Sequence, residues 1–258
     1  MRIYIIRHGE TEWNKLGRLQ GRTDIPLNET GRELARRVGY ALRDIPFSRV
    51  ISSPLGRAVE TARLVLEGQK MEQDQQLVLK SGKEREEWKE NRADREEAPN
   101  VVTDERLQEV GFGIYEGYAV PSKHFCGASG YMIPDEEFCD FFDAPEKYHP
   151  PKGGENFASL FTRTGDFLEE LAGFAVRKER KEMPETGENS DSGQRASATR
   201  ENWLISTHGA TSRALLANIK GTSLEDFWKQ GVPKNCSVSI AETENGEWRL
   251  LKQDVIYY

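Results

Sequence analysis

Cysteine is scarce in this chain: Cys126, Cys139 and Cys236 are the three among 258 residues, and no two stand in a C-x-x-C arrangement. That count and spacing argue against a disulfide framework and against a zinc ribbon. Long hydrophobic runs are missing as well. The run Ile3-Tyr4-Ile5-Ile6 stops at Arg7, too short for a signal-peptide core or a membrane span. Excess positive charge is also absent, since the formal net charge is −7. No general field exists to gather nucleic acid or an anionic membrane, although a local basic pocket remains compatible. These absences predict a reduced, cytoplasmic protein with neither a nucleic-acid nor a membrane partner. The apolar fraction is low, 36%, with a mean hydropathy of −0.71. It suffices for one core if the polarity is concentrated in a few surface segments.

The pattern along the chain bears this out. Arg2–Arg7 is apolar on both faces and predicts a buried central strand. A helix follows, with Thr30 and Glu33 at capping-box spacing and Leu34, Val38, Ala41, Leu42 and Ile45 on one face. A second strand is expected over 49–52. Ser53-Pro54 then reads as an N-cap and first-turn proline, opening a helix to about Glu67. The C-terminal third repeats the theme: a strand over 203–207, a helix over 210–220 closed by Gly221, and a hairpin of 238–243 with 248–253 about Asn245-Gly246. Alternating strands and helices predict an α/β fold, a three-layer α/β/α arrangement with a mainly parallel central sheet and an inserted cap region. We expect a single domain spanning 1–258, interrupted by three segments. A mixed-charge insertion occupies about 80–100 (83–97 at its densest) and reads as a solvated surface. An aromatic segment at about 118–150 carries Phe125, Tyr131, Phe138, Phe141, Phe142 and Tyr148, suited both to a cap's own core and to a ligand wall. A polar stretch at about 177–202 reads as an exposed loop.

Two of the four histidines occupy matching positions. His8 follows the first strand, His208 ends the strand WLIST, and each precedes a glycine. The carboxyl ends of parallel strands are where open α/β sheets bind ligands. Arg7 adjoins His8, and Arg57 lies in the opening turns of the helix after another strand. A guanidinium presents fixed planar donors, so two arginines and two histidines without metal-ligand spacing describe a seat for a dianionic phosphoryl group.

Five ordered blocks, RHGET, LQGRTDIPLNETG, SSPLGRAVETA, LQEVGFGIYEG and ISTHGATSRALL, resemble the histidine phosphatase superfamily, the phosphoglycerate mutase-like fold. The segment FCDFFDAPEKYHPPKGGENF is similar to that of broad-specificity and ribazole-phosphate phosphatases near their substrate cap. The resemblance implies that His8 is the nucleophile that becomes phosphorylated. It implies that Arg7, Arg57 and His208 hold the phosphoryl oxygens, with Asn14 as a further donor, and that Glu109 is the proton donor. Gln20, Gly21 and the backbone at Gly209 would contribute secondarily, whereas Glu116 would serve structure. The implied activity is that of a histidine acid phosphatase-type phosphomonoesterase, a hydrolase needing neither metal nor cofactor and acting on a small-molecule phosphomonoester. His208 would be more useful protonated, as a donor to phosphate. A cofactor-dependent phosphoglycerate mutase is the alternative within the family, though the block LQEVGFGIYEG is closer to the phosphatase form. The alternative of another class, an inactive phospho-ligand or protein-binding module, would show as loss of His8, an arginine or Glu109, and all are retained. Acids at Asp135, Glu136, Glu137, Asp140 and Asp143 would disfavour a polyanionic substrate if they faced the pocket.

Overall fold

A computed structural model describes residues 1–79, 99–120, 132–133, 135–182 and 201–258. The charged run 83–97, Phe125 and Tyr131 lie outside the described residues, as does 183–200 of the polar stretch.

Six strands form one sheet: β1 (Arg2–Arg7), β2 (Phe47–Ser52), β3 (Val101–Thr103), β4 (Asn202–Thr207), β5 (Val238–Glu244) and β6 (Glu247–Val255). Their order is β3-β2-β4-β1-β5-β6. The first four are mutually parallel, while β5 and β6 run antiparallel at one edge. The sheet is therefore mixed and mostly parallel.

Side chains alternate across β1, and this alternation sets the layers. Tyr4 and Ile6 pack with Val38 of helix α2 (Glu29–Ala41) and Val65 of helix α3 (Gly56–Leu79). Ile3 and Ile5 face the other way, onto Phe167 and Leu171 of helix α5 (Phe157–Glu182) and Leu215 of helix α6 (Gly209–Lys220). Helices α2 and α3 touch through paired glycines. A Cβ on Gly39 would lie 2.1 Å from the Val65 carbonyl, and one on Gly68 would lie 2.1 Å from that of Arg36. Two further helices complete the set introduced here, the single turn α1 (Glu12–Lys15) and α4 (Asp135–Asp143).

Several boundaries differ from the sequence expectation. The cap of α2 is Asn28, whose side chain accepts from Gly31 N–H, so Thr30 and Glu33 lie inside the helix. Asn28 is held there by tertiary contacts, since its amide donates to Glu10 Oε1 at 2.8 Å. Ser53 Oγ accepts from Leu55 N–H at 3.3 Å, but α3 begins at Gly56 and continues to Leu79, well past Glu67. Gln69, beyond the expected stop, donates to the carbonyls of Leu42 and Ile45 and ties α3 to the end of α2. Residues 177–182 belong to α5 rather than to a loop. The Asn245-Gly246 turn forms as expected, with φ of 53° and 86° at the two residues. Gly221 likewise closes α6 at φ 64°.

A third apolar cluster lies beyond the sheet. Phe138 and Phe141 of α4 pack with Phe112, Tyr148, Phe157 and Phe227, and the cluster reaches Ala210 and Ala214 of α6. The aromatic segment thus has a core of its own, continuous with the helix that follows His208.

Candidate active site

The sheet delivers three adjacent strand ends to one place. His8 N–H donates to the Thr207 carbonyl at 2.8 Å, and Ser53 N–H to that of Ser206 at 2.9 Å, so the ladder continues one residue beyond β1 and β2. His8, Ser53 and His208 are consequently neighbours, and the two imidazole centroids are 5.1 Å apart.

His8 is buried, with Nδ1 2.7 Å from the carbonyl oxygen of Gly9. A carbonyl can only accept, so Nδ1 carries the proton and Nε2 keeps its lone pair. Glycine is required beside it, because a Cβ on Gly9 would lie 2.6 Å from the Gly31 carbonyl oxygen. Burial, aided by Arg57 and Arg7, lowers the affinity of His8 for a second proton well below the usual histidine range. His208 is displaced in the same direction, mainly by burial and then by Arg57. Both shifts favour the neutral ring over the imidazolium in this environment. Burial is the larger cause, and the guanidinium groups of Arg57 and Arg7 add to it.

Arg57 is fully buried; Nη2 donates to the Gly21 carbonyl at 2.6 Å and Nη1 to that of Thr23 at 2.9 Å. Burial pulls its pKa down to about 10, against the pull of Glu109, Asp24 and Glu116, and it stays charged at neutral pH. Arg7 donates through Nη1 to the Pro233 carbonyl. The Nε atoms of both arginines are buried without a hydrogen-bond partner among the described residues. Glu109 sits at the N-terminus of α6. Its Oε2 accepts from Ala210 N–H at 3.1 Å, while Oε1 accepts from the N–H groups of Val110 and Thr211, each at 3.0 Å. Backbone donors and the positive end of the helix dipole hold the carboxylate in place.

A cavity of about 560 Å³ opens over this floor. Among the residues singled out from sequence, Arg7, His8, Asn14, Gln20, Glu109 and Gly209 line it. Arg57 and His208 lie behind the lining. Gly21 departs from its expected part, since its carbonyl faces Arg57 and it is not in the wall. Glu116 accepts from the N–H groups of Arg22 and Thr23 and so braces the loop that carries those Arg57 acceptors. The aromatic segment divides. Phe138 and Tyr148 are core, whereas Phe141 and Phe142 join Phe112 and Trp228 in the wall. Asp140 and Asp143 are absent from the lining, and the side chains of 135–137 lie outside the described residues. Among the described residues, no group of three or more His, Cys, Asp or Glu is arranged to hold a metal ion. None of their helices is long and apolar enough to cross a membrane.

Sequence reasoning missed Asn235. Its amide donates to the carbonyls of His8 and Gly9, at 3.0 and 3.2 Å, and to Asn14 Oδ1 at 3.1 Å. Pro233, which receives Arg7, and Tyr258, whose hydroxyl donates to the Asn235 carbonyl at 2.9 Å, were missed too. Gly231-Val232-Pro233 signals a loop entering a strand, but nothing local says that this loop meets residues more than two hundred positions earlier.

Known proteins share this fold. The chain is 25% identical over 255 residues to phosphoserine phosphatase 1 of Hydrogenobacter thermophilus, covering 99% of this chain and 92% of that one. It is 45% identical to Bacillus subtilis "Uncharacterized phosphatase PhoE" over 65 residues, a quarter of this chain and 34% of the relative. The solved structure of Bacillus stearothermophilus YhfR superposes with a TM-score of 0.67 at 28% identity, over 98% of this chain and 96% of that one. Residues 3–79 and 192–255 match the family model described as histidine phosphatase superfamily (branch 1). These two stretches carry His8, His208, Arg7 and Arg57, and the chain belongs to that superfamily.

Proposed function

We propose that this protein is a metal-independent phosphomonoester hydrolase working through a phosphohistidine on His8, with Glu109 as general acid and then general base. The observation that carries the reading is the orientation of His8: Nδ1–H is spent on the Gly9 carbonyl, leaving the unprotonated Nε2 as nucleophile. In the first step Nε2 bonds to phosphorus, the ester P–O bond breaks, and a proton passes from Glu109 to the departing alkoxide. In the second step water attacks phosphorus, the P–N bond breaks, and the water proton returns to Glu109. Oε2, which faces Gly209 and accepts a single backbone hydrogen bond, is the oxygen with room to carry that proton.

The charge of the phosphoryl group is met by Arg7 and Arg57, whose buried Nε atoms lack an acceptor among the described residues. Preorganised donors in a dry site stabilise the transition-state charge without reorganising. Asn14, Gln20 and Gly209 stand around the cavity as secondary contacts. The alcohol would lie against Phe112, Phe141, Phe142 and Trp228, which favours a partly apolar leaving group over the second anionic group of a mutase substrate. We read the chain as one cytoplasmic domain acting on a small molecule.

The test is phosphate release from p-nitrophenyl phosphate in EDTA, with wild type and His8→Ala side by side. Turnover in the wild type alone supports the reading. Activity that vanishes in EDTA and returns with Mg²⁺, or a fully active His8→Ala, would sink it. No turnover in folded wild type would move weight to a mutase, with 3-phosphoglycerate and 2,3-bisphosphoglycerate as the next substrates.

A further inference from the structure

A neutral imidazole has one proton for two nitrogens, and the protein engages only one nitrogen of His208. Nε2 lies 2.8 Å from Ser53 Oγ, whereas Nδ1 is buried without a hydrogen-bond partner among the described residues. Ser53 decides which of them holds the proton. Its Oγ already accepts from Leu55 N–H at 3.3 Å, and among the described residues the one acceptor in reach of the hydroxyl proton is His208 Nε2. The reverse assignment is unfavourable. An Nε2–H donating to Ser53 would leave a fully buried hydroxyl proton unshared.

The backbone supports a fixed role. Ser53 and His208 terminate adjacent parallel strands, and the Ser53 N–H to Ser206 carbonyl bond of 2.9 Å holds the two ends in register. Among the described residues, neither side chain has another side-chain hydrogen-bond partner to pull it away. We infer that Ser53 is a positioning residue, donating to His208 Nε2 and thereby holding the ring as its Nδ1–H tautomer, which offers a hydrogen-bond donor to a phosphoryl group beside His8. The phosphoryl half of this inference rests on the phosphatase reading; the tautomer does not.

Two measurements on the full chain test it separately. Long-range ¹⁵N–¹H NMR of histidine-labelled protein should show His208 with a protonated Nδ1 and an unprotonated Nε2. Ser53→Ala should shift the ring toward the Nε2–H form, and Ser53→Thr, which keeps a hydroxyl, should restore the wild-type pattern. A wild-type ring protonated at Nε2 overturns the assignment, and that spectrum decides it even if Ser53→Ala does not fold. The second measurement is vanadate inhibition of p-nitrophenyl phosphate turnover. Losing one donor to a charged oxygen should weaken inhibition by about tenfold or more in Ser53→Ala, with recovery in Ser53→Thr. Unchanged inhibition in a folded Ser53→Ala overturns the positioning role. A wild type that neither turns over nor binds phosphate removes the phosphatase reading alone, and the NMR result still decides the tautomer.

Discussion

The two ends of the cavity are built by opposite physics. At the floor, His8, Arg57 and His208 are buried and Arg7 is half-buried; Arg7, His8 and Arg57 are fixed by hydrogen bonds to backbone carbonyls, and His208 by one to Ser53 Oγ. At the rim, Phe141, Phe142 and Trp228 pack against one another, with ring centroids 4.9–5.5 Å apart, and against Phe138, Phe157 and Phe227 behind them. Trp228 spends its N–H on the Phe141 carbonyl at 2.6 Å. The floor has direction but little tolerance, because each buried polar group depends on one or two named partners. The rim has area but little direction. A molecule divided in this way keeps one chemistry while its leaving-group preference drifts, and perturbations at the two ends should differ in size and kind.

The largest effect belongs to His8. Removing the nucleophile should cost about 10⁴-fold or more in kcat on every phosphomonoester, read as initial rates, and acid-quenched protein should lose its covalent phosphate. Any leaving-group dependence of the loss would break the division between floor and rim. Arg57→Lys comes next. Lysine keeps the charge but cannot serve the Gly21 and Thr23 carbonyls from one planar fork, so kcat/KM should fall about 10²-fold. Thermal unfolding should also move to lower temperature, as a buried carbonyl left without a donor costs roughly 1–3 kcal/mol. Unchanged stability with lost activity would separate the anion seat from the scaffold.

This contrast also explains what was legible before any coordinates. His8 and His208 stood out because each ends an apolar run and precedes glycine, which marks the carboxyl edge of a parallel sheet. Arg57 followed from the helix after Ser53-Pro54. What was illegible depends on contacts between distant segments. Asn235 braces the His8–Gly9 backbone from 227 and 226 residues away. Strand β3 is three residues long, with two of them exposed, and lacks the apolar run that betrays a buried strand. The cap of α2 was misassigned because Thr30 and Glu33 have attractive local spacing, while the bond that anchors Asn28 reaches back to Glu10. Phe141 and Phe138 are three residues apart on α4, yet one reaches the wall and the other does not, a distinction set by what packs around them.

Glu109→Gln should be more selective than the floor substitutions. With alkyl phosphates, whose leaving groups need a proton, the rate should fall about 10²-fold; with p-nitrophenyl phosphate the loss should be much smaller. Equal losses on both would remove Glu109 as the acid. Acid stability gives a smaller signal from the same floor. His8 and His208 both have folded pKa values below the ordinary 6.5. The unfolded chain therefore binds more protons once the pH drops below about 6.5, and stability present above that pH is lost as it falls toward the folded values. Each such proton contributes a slope of about 1.4 kcal/mol per pH unit, so His8→Gln should flatten the acid limb of a denaturant-derived stability profile by about one proton. An unchanged slope would mean that His8 is not kept neutral by burial.

The smallest expected effect is at the rim. Phe142 is partly exposed, lines the cavity and meets Phe141 edge-to-face at 4.9 Å and Trp228 at 5.4 Å. An aromatic contact of this kind is worth about 0.5–1.5 kcal/mol beyond its buried area, which corresponds to roughly two- to tenfold in affinity. Phe142→Ala should therefore raise KM for an aryl phosphate by that factor, leave kcat nearly unchanged, and hardly affect a small alkyl phosphate that never reaches the rings. The attacking nitrogen and its anion seat are untouched, so a uniform-binding loss is the expected signature. A matching fall in kcat on the small substrate would show that the rim positions the floor, and the division between the two ends would have to be withdrawn.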